Sequence, residues 1–461
     1  MLQDEDLQPS GGFAARRWIT DAIPPLAIVG PTCTTLRISA ASNYTAIALM
    51  PSSSGVLLKR RSYCGFHMAG AWLAYGELGL AVIGFAPFAL HRLSCGSWAK
   101  EEVKIPEKDS MLPITILLPV WNEGLIIEKK LANLAKQEIN ADLLLIDSAS
   151  TDDTLEIATS WLQDFPKAFN SHKIIAMPQR LGKTTAVMLG IDELKDFQGI
   201  IVMTDADATI MPQSFNRIRQ WFSDPQIGAV GGSPRRKGSL GEEESHRDIY
   251  NLLRAGESSH DSTPFLEGSL LAWRSNSVKS TDLYSKSNAD DAQIATAVRL
   301  GGLRSIQDSK LTFTDQMPLT SKGQRRQKVR RAQGLIRLLS RKRKFWFSKR
   351  QGRFAKILRR NAWMHILSPL AIAGGAMLAI LRNIVYLPES NLMLALSITE
   401  IYCLVSWVLT RMNRSFTGIK TAGTIMCGLE NLLVAILLAG RGKSLHMWDQ
   451  HTDVRETLSE S

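Results

Sequence analysis

The sequence predicts an α/β domain with a mostly parallel sheet, carried by about four membrane-spanning helices, and three observations predict it. Between Pro113 and about Ser340, short apolar runs alternate with amphipathic stretches, the pattern of βαβ units around a parallel sheet. Four further stretches are apolar over close to the ~20 residues that a bilayer requires. Between Gly199 and Thr209, GIIVMTDADAT delivers two aspartates, Asp205 and Asp207, from an apolar run into a turn. A buried strand ends in this way at the carboxyl edge of such a sheet, where ligands sit.

Composition sets the outer bounds. A chain of 461 residues is long enough for two or three domains, and 45% apolar residues exclude a mainly disordered protein. The formal charge of +12 and pI near 9.5 suit nucleic acid or an anionic membrane surface, so the place of the charge decides between them. Five cysteines, at 33, 64, 95, 403 and 427, include no CxxC pair. They indicate neither a zinc site nor a disulfide framework and read as inert thiols.

Taken in order, residues 1–66 are rich in Ser, Thr, Ala, Gly and Pro without sustained periodicity, the composition of a poorly ordered leader. A first span follows within 67–90, from Met68 to Leu90, interrupted by Glu77. It is too long for a cleaved signal peptide. Since Met68 opens it, translation starting there would explain the unusual leader; an N-terminal peptide upstream of Met68 in native protein would exclude this.

The α/β domain is expected over 111–340. Its strands are ITILLPV (114–120), DLLLID (142–147), KIIAM (173–177) and GIIVMTD. The helix LIIEKKLANLAKQ (125–137) places Ile127, Leu131 and Leu134 on one face, and the helix TLEIATSWL (154–162) is capped by Asp152 or Asp153. GGSPRRKGSLGEEESHRD (231–248) reads as a mobile loop able to close over substrate.

Beyond the domain, residues 341–361 interleave Lys and Arg with Phe345, Trp346, Phe347 and Phe354, as a helix lying in a membrane interface would. Aromatics among basic residues also occur at single-stranded nucleic-acid sites, but the apolar spans that follow make lipid head groups the expected partner, not nucleic acid. Three spans fill 362–440, about Ala362–Leu381, Leu392–Thr410 and Thr421–Ala439, before a tail at 441–461. Lys and Arg flanking these spans predict a multi-pass protein of the cell membrane with the α/β domain in the cytoplasm. Lys59, Arg60 and Arg61 argue the other way, a conflict that a start at Met68 would remove. Glu77, Glu400 and Glu430 each lie within a span and are expected to be protonated and hydrogen-bonded inside the bundle.

Two carboxylates one residue apart, Asp205 and Asp207, can hold a hard divalent cation such as magnesium or manganese and leave positions open for phosphates. An Asp-rich turn is the plain alternative. The order of motifs adds to this pair. LLPVWNEG (117–124), LIDSASTDDT (145–154), RLGKTTAVMLG (180–190) and DADA (205–208) together resemble a membrane-bound family 2 glycosyltransferase of the GT-A fold, over about Pro113 to Gly334 with the flanking spans. The same Asp-x-Asp-x-Thr letters fit the nucleophile loop of haloacid-dehalogenase-type phosphatases, with Asp205 as nucleophile, but that loop normally comes early in its domain.

The resemblance implies a role for each site residue. Pro119, Glu123 and Asp147 would form the nucleobase pocket, Lys183 would offer a positive charge to base or diphosphate, and Asp205 would lie against ribose and metal. Asp207 would ligate the metal. FLEGSLLAWR (265–274) resembles the family's strand whose glycine and small residue, here Gly268 and Ser269, would line the acceptor site. In SNADDAQ (287–293), where the family has Thr-Glu-Asp before a helix, Asp291 would be the general base. Gln324, Arg330 and Arg331 stand at the place of the Gln-x-x-Arg-Trp motif of processive members and would bind diphosphate, although no tryptophan is at the matching position. Each residue also has a structural alternative in turn, cap or solvated-face chemistry. By resemblance, the chain is an inverting glycosyltransferase using a nucleotide-diphosphate sugar, a divalent metal and a lipid-linked or polysaccharide acceptor. A processive polysaccharide synthase and a non-catalytic membrane scaffold retaining the fold are the alternatives. A product channel built from so few spans would need a homodimer.

Overall fold

The structure, a computed structural model, describes residues 53–461 except 138–139, 236–240, 316–317, 319, 389, 415, 446, 448–454, 456–457 and 459–461; side chains are described from residue 68 onward, outside 241–248. The chain divides into two compact units, Met1–Trp72 and Leu73–Ser461. The described part of the first is helical backbone, the start of α1 (Ser53–Trp98). Residues 53–66, expected within a poorly ordered leader, are therefore helical. Leu57, Leu58, Lys59, Arg60 and Arg61 are good helix formers, and extending an existing helix is far easier than nucleating one. The rest of the expected leader lies outside the described residues.

In the second unit, β1 (Ile114–Val120), β2 (Ala141–Asp147), β3 (His172–Ala176) and β4 (Ile200–Met203) follow the apolar runs of the sequence. They are joined by α2 (Ile127–Ala135), α3 (Thr154–Asp164) and α4 (Lys183–Glu193). After β5 (Thr209–Ile210) come α5 (Ser214–Trp221), β6 (Ile227–Pro234), α6 (Gly241–His260), β7 (Leu271–Arg274), α7 (Asp290–Leu300) and β8 (Arg304–Thr314). The sheet runs β3-β2-β1-β4-β7-β6-β8-β5. Its first four strands are parallel, with Ile116 opposite Leu143 on one side and Val202 on the other. β7 is antiparallel to both β4 and β6, while β6 and β8 are parallel, so the sheet is mixed beyond β4.

β1 is a continuous apolar run because both of its faces are covered. Its alternate residues point to opposite sides. Ile116, Leu118 and Val120 join a core with Leu131, Leu143, Trp161 and Phe215, whereas Leu117 joins Leu144, Val187, Met203 and Ile294 on the other face. A Cβ on Gly190 would stand 2.4 Å from Leu117 Cδ1, so α4 lies directly on the strand. Pro119 sits past Leu117, the last β1 residue paired with β4, where its missing N–H breaks no bond to that neighbour.

Two expected elements differ. The stretch 231–248 is not one loop: residues 231–234 finish β6 and Gly241 begins α6, with 236–240 outside the described residues. Glu and Arg along 242–247 favour helix continuation, which the glycines and the proline before them masked. The strand expected over 265–274 is confined to Leu271–Arg274, so Gly268 and Ser269 lie in the turn that leads into it.

After β8, α8 (Ser321–Arg341) precedes α9 (Gly352–Ala362), which continues through a π turn at Trp363–Leu367 into α10 (Ser368–Val385). α11 (Asn391–Arg411) and α12 (Lys420–Gly440) follow. Among the described residues four helical segments are long and apolar enough to cross a membrane, Met68–Trp98, Lys349–Val385, Asn391–Arg411 and Lys420–Gly440, one before the α/β domain and three after it. The basic aromatic segment is not a helix lying free in the interface. Phe354 and Leu358 of α9 are buried with Phe265, Ala292 and Leu339 of the domain, because a helix this amphipathic buries its apolar side against the nearest apolar surface. Phe347 alone of its four aromatics is strongly exposed, at 75%.

The carboxylates in the spans each meet an arginine inside the bundle. Arg382, fully buried, donates from Nε to Glu77 Oε2 at 3.0 Å and from Nη2 to Glu400, and from Nη1 to Ser397 Oγ at 3.0 Å. Glu430 accepts from Arg411, from Trp407 Nε1 at 2.9 Å and from Arg325 of α8 at 2.5 Å. Ionisable groups at such depth persist when they meet each other inside the protein.

Candidate active site

The carboxyl ends of β1, β2 and β4 gather one group of side chains. The loop after β1 is fastened to the loop after β2: Asn122 N donates to Ser150 Oγ at 2.8 Å, Glu123 N to Thr154 Oγ1 at 2.7 Å and Gly124 N to Asp152 Oδ2 at 3.0 Å. Asn122 and Ala149 both take left-handed backbone, φ 53 and 58. Asparagine adopts that region readily and alanine does not, so the contacts across the two loops must hold Ala149 there. Asp147, buried, accepts from Ser150 N at 3.0 Å and from Ser150 Oγ. Asp152 rather than Asp153 caps α3, accepting from Thr154 N at 3.2 Å. The Trp121 ring carries the Arg180 guanidinium 3.4 Å from its centroid.

The turn after β4 holds Asp205 and Asp207, and it is braced from below by a residue that the sequence reading passed over. Lys130, on the buried face of α2, donates to Thr204 Oγ1 at 2.7 Å and to Ala208 O at 2.5 Å. Burial pushes it down to about 7, although Asp205 and Asp207 act to raise it. Asn133, one turn on, completes the brace through both atoms of its amide with Ile210 N and O, each at 2.9 Å. The signal was available in the spacing, since Lys130 shares the stripe of Ile127, Leu131 and Leu134.

Asp205 pairs with Lys183 and accepts from Ser269 Oγ at 3.3 Å. Burial alone would raise its carboxyl, but Lys183 outweighs that and holds it below the usual range. Lys183, at the first turn of α4, also lies 3.6 Å from Asp290 Oδ2. Burial would lower it, but these carboxylates keep it firmly charged. A Cβ on Gly268 would come within 3.3 Å of Lys183 Nζ and 3.5 Å of Asp291 Cβ, so the glycine lets the turn before β7 approach both. Asp291 itself is pushed up to about 7, first by burial and then by Asp290 and Glu267. Glu267 is paired with Arg254 of α6 at 2.5 Å.

Asp207 is raised by burial and by Asp205, against the opposing effect of Arg455. That arginine comes from the far end of the chain, pairs with Glu123 at 2.7 Å and lies 3.4 Å from Asp207. Burial lifts Glu123 to about 7 despite this partner.

Of the residues picked out in the sequence, Glu123, Lys183, Asp205, Asp207, Gly268, Ser269 and Asp291 are therefore linked by contact or shared partner, with Asp147 and Pro119 at the adjoining strand ends. Gln324, Arg330 and Arg331 are placed differently. Gln324 Nε2 donates to Pro318 O at 3.0 Å, Arg331 is exposed, and Arg330 O accepts from Asn288 Nδ2 at 2.6 Å. α8 thus bears on the segment before Asp290: a Cβ on Gly334 would be 2.6 Å from Asn288 Oδ1.

Among the described residues no group of three or more His, Cys, Asp and Glu is arranged to hold a metal alone. The pair Asp205 and Asp207 still fits magnesium or manganese, which are commonly bound by one or two carboxylates together with substrate phosphates. All-oxygen donors match that choice.

Comparison with known proteins bears on the domain as a whole. Residues 115–279 match the model of glycosyl transferase family 2. A mannosyltransferase from Pyrobaculum calidifontis, solved with GDP-Man and Mn2+, superposes with a TM-score of 0.66 at 24% identity, over 80% of this chain and 99% of that one. An uncharacterised protein of Mycobacterium tuberculosis is 24% identical over 124 residues, 27% of this chain. The match spans 36% of that relative's length.

Proposed function

With residues 115–279 forming a glycosyl transferase family 2 domain on a GT-A fold, we propose that the protein is an integral membrane glycosyltransferase that moves a sugar, with inversion, from a nucleotide-diphosphate donor to a lipid-linked or polysaccharide acceptor at the cytoplasmic face. The observation that carries this reading is the joining of Asp205, Lys183, Gly268 and Asp291 from four separate segments, two turns and two helix starts. Asp205 and Asp207 are the residues that would hold the cation. When bound, the cation supplies Lewis-acid neutralisation of the leaving diphosphate.

The remaining steps belong to the chain's own residues. Lys183 adds positive charge beside the diphosphate, and its pairing with Asp205 and Asp290 fixes where that charge stands. Asp291, poised near neutrality, takes the proton from the acceptor hydroxyl as the oxygen attacks the anomeric carbon. Trp121 and the carboxylates of Glu123 and Asp147 line the nucleotide end. The fold relative carries GDP-Man, which makes a guanosine-diphosphate sugar the first donor to try. Single transfer is favoured over processive synthesis by the missing tryptophan and by the exposure of Arg331.

A panel of labelled nucleotide sugars offered to native membranes tests the reading. Transfer should stop in chelator, return with manganese or magnesium, and fall with Asp207→Asn together with metal-dependent donor binding. Undiminished transfer in chelator would remove the metal assignment, and no transfer from any donor would favour a non-catalytic scaffold.

A further inference from the structure

We infer that the C-terminal segment carrying Arg455 is an internal competitor of the divalent cation at Asp207, an inference that rests on the donor-site reading of Asp205 and Asp207. Arg455 Nε donates to Glu123 Oε2 at 2.9 Å and Nη2 to Glu123 Oε1 at 2.7 Å, the two-pronged geometry by which guanidinium grips carboxylate. The same Nη2 stands 3.4 Å from Asp207 Oδ2. Both partners of the Glu123 pair are buried, with 4% of the arginine side chain and 1% of the glutamate exposed. A second anchor lies three residues on, where Lys129 Nζ donates to Leu458 O at 3.0 Å and Leu458 packs against the core beneath β1.

These contacts put a positive charge between two carboxylates at the place where a cation is needed for catalysis. A divalent ion on Asp207 requires an oxygen within about 2.0–2.6 Å, and a guanidinium against that same oxygen repels it. Neither can be strengthened without weakening the other, so the coupling is reciprocal. Glu123 fits this exchange. It is buried beside Asp205 and Asp207, and a cation arriving at Asp207 would relieve the repulsion that Arg455 relieves while docked. Loading of the site is thereby linked to release of Arg455 from Glu123.

The test uses the full chain in detergent with Mn2+ alone, free Mn2+ being followed by electron paramagnetic resonance. If Arg455 is docked in about nine of ten molecules, Arg455→Gln should bind Mn2+ about tenfold more tightly, and Arg455→Lys should fall between. Independently, Mn2+ should speed tryptic cleavage after Arg455 in the unaltered chain, read as loss of residues 456–461 by intact mass. That second measurement stands even where the glutamine variant does not fold. Unchanged or weaker Mn2+ binding in a folded Arg455→Gln, or protection of the bond by Mn2+, would overturn the inference and make Arg455 a residue that helps to hold the loaded site. Failure of both chains to bind Mn2+, alone and with a nucleoside diphosphate added, would remove the metal assignment itself and this inference with it.

Discussion

Asp290 and Asp291 are neighbours in sequence with different surroundings. Asp290 is buried beside Lys183, whereas Asp291 faces Glu267 and the Gly268 turn and is lifted to about 7. A base must be deprotonated to act, so kcat/KM should rise with pH through about 7 and level off above it. Asp291→Asn should lower single-turnover transfer by about 10²- to 10⁴-fold with donor affinity nearly unchanged, and should abolish that acid limb. An acid limb surviving in the mutant would move the base elsewhere. Residues of this kind were legible because their motifs are short and local. Lys130 and Arg455 were not: a lysine on a helix and an arginine in a tail ordinarily point to water, and only tertiary packing brings them under and over the aspartate turn.

At the scale of elements, α8 connects the site to the membrane helices. Its middle bears on Asn288 and Ala289 through Gly334, and Val329 and Ile336 on either side of that glycine in sequence pack with Ala435 of α12 while Arg325 reaches Glu430. Gly334→Ala should push the segment that carries Asp291 and reduce turnover at least several-fold without loosening the donor, as a small misplacement of a catalytic group does. Equal turnover would show that Asn288 yields freely. The basic aromatic segment separates into two roles. Phe354→Ala, which empties a fully buried position, should cost about 3–5 kcal/mol and lower the melting temperature. Phe347→Ser should leave melting nearly unchanged and weaken contact with anionic lipid, measured as crosslinking to a photoactivatable anionic lipid in reconstituted vesicles. Periodicity alone revealed that this segment is amphipathic; it could not say that protein, not lipid, covers Phe354. Alternation likewise gave β1 to β4 with near-correct ends, while α6 was hidden because its first turn follows a glycine- and proline-rich stretch.

At the scale of the whole molecule, the described residues place one apolar helix ahead of the α/β domain and three behind it. Charge in the flanks predicts a cytoplasmic domain. Leu387, in the short connection between α10 and α11, and Lys322, at the start of α8, are both exposed. Single cysteines introduced at these two positions should then be labelled by an impermeant maleimide from opposite sides of sealed vesicles; labelling of both from one side would refute the orientation. The pairing of Arg382 with Glu77 and Glu400 adds a constraint in time. Glu77 and Arg382 are 305 positions apart, so a ribosome synthesises the first long before the second. Until that arginine emerges, the early helix has an acidic group in lipid without its partner, and the whole catalytic domain is made in the interval. Assembly therefore has a late checkpoint: a nascent chain that lacks Arg382 would carry a finished domain on an unfinished bundle, and cellular proteolysis would recognise it by its membrane part, however well its enzyme half had folded.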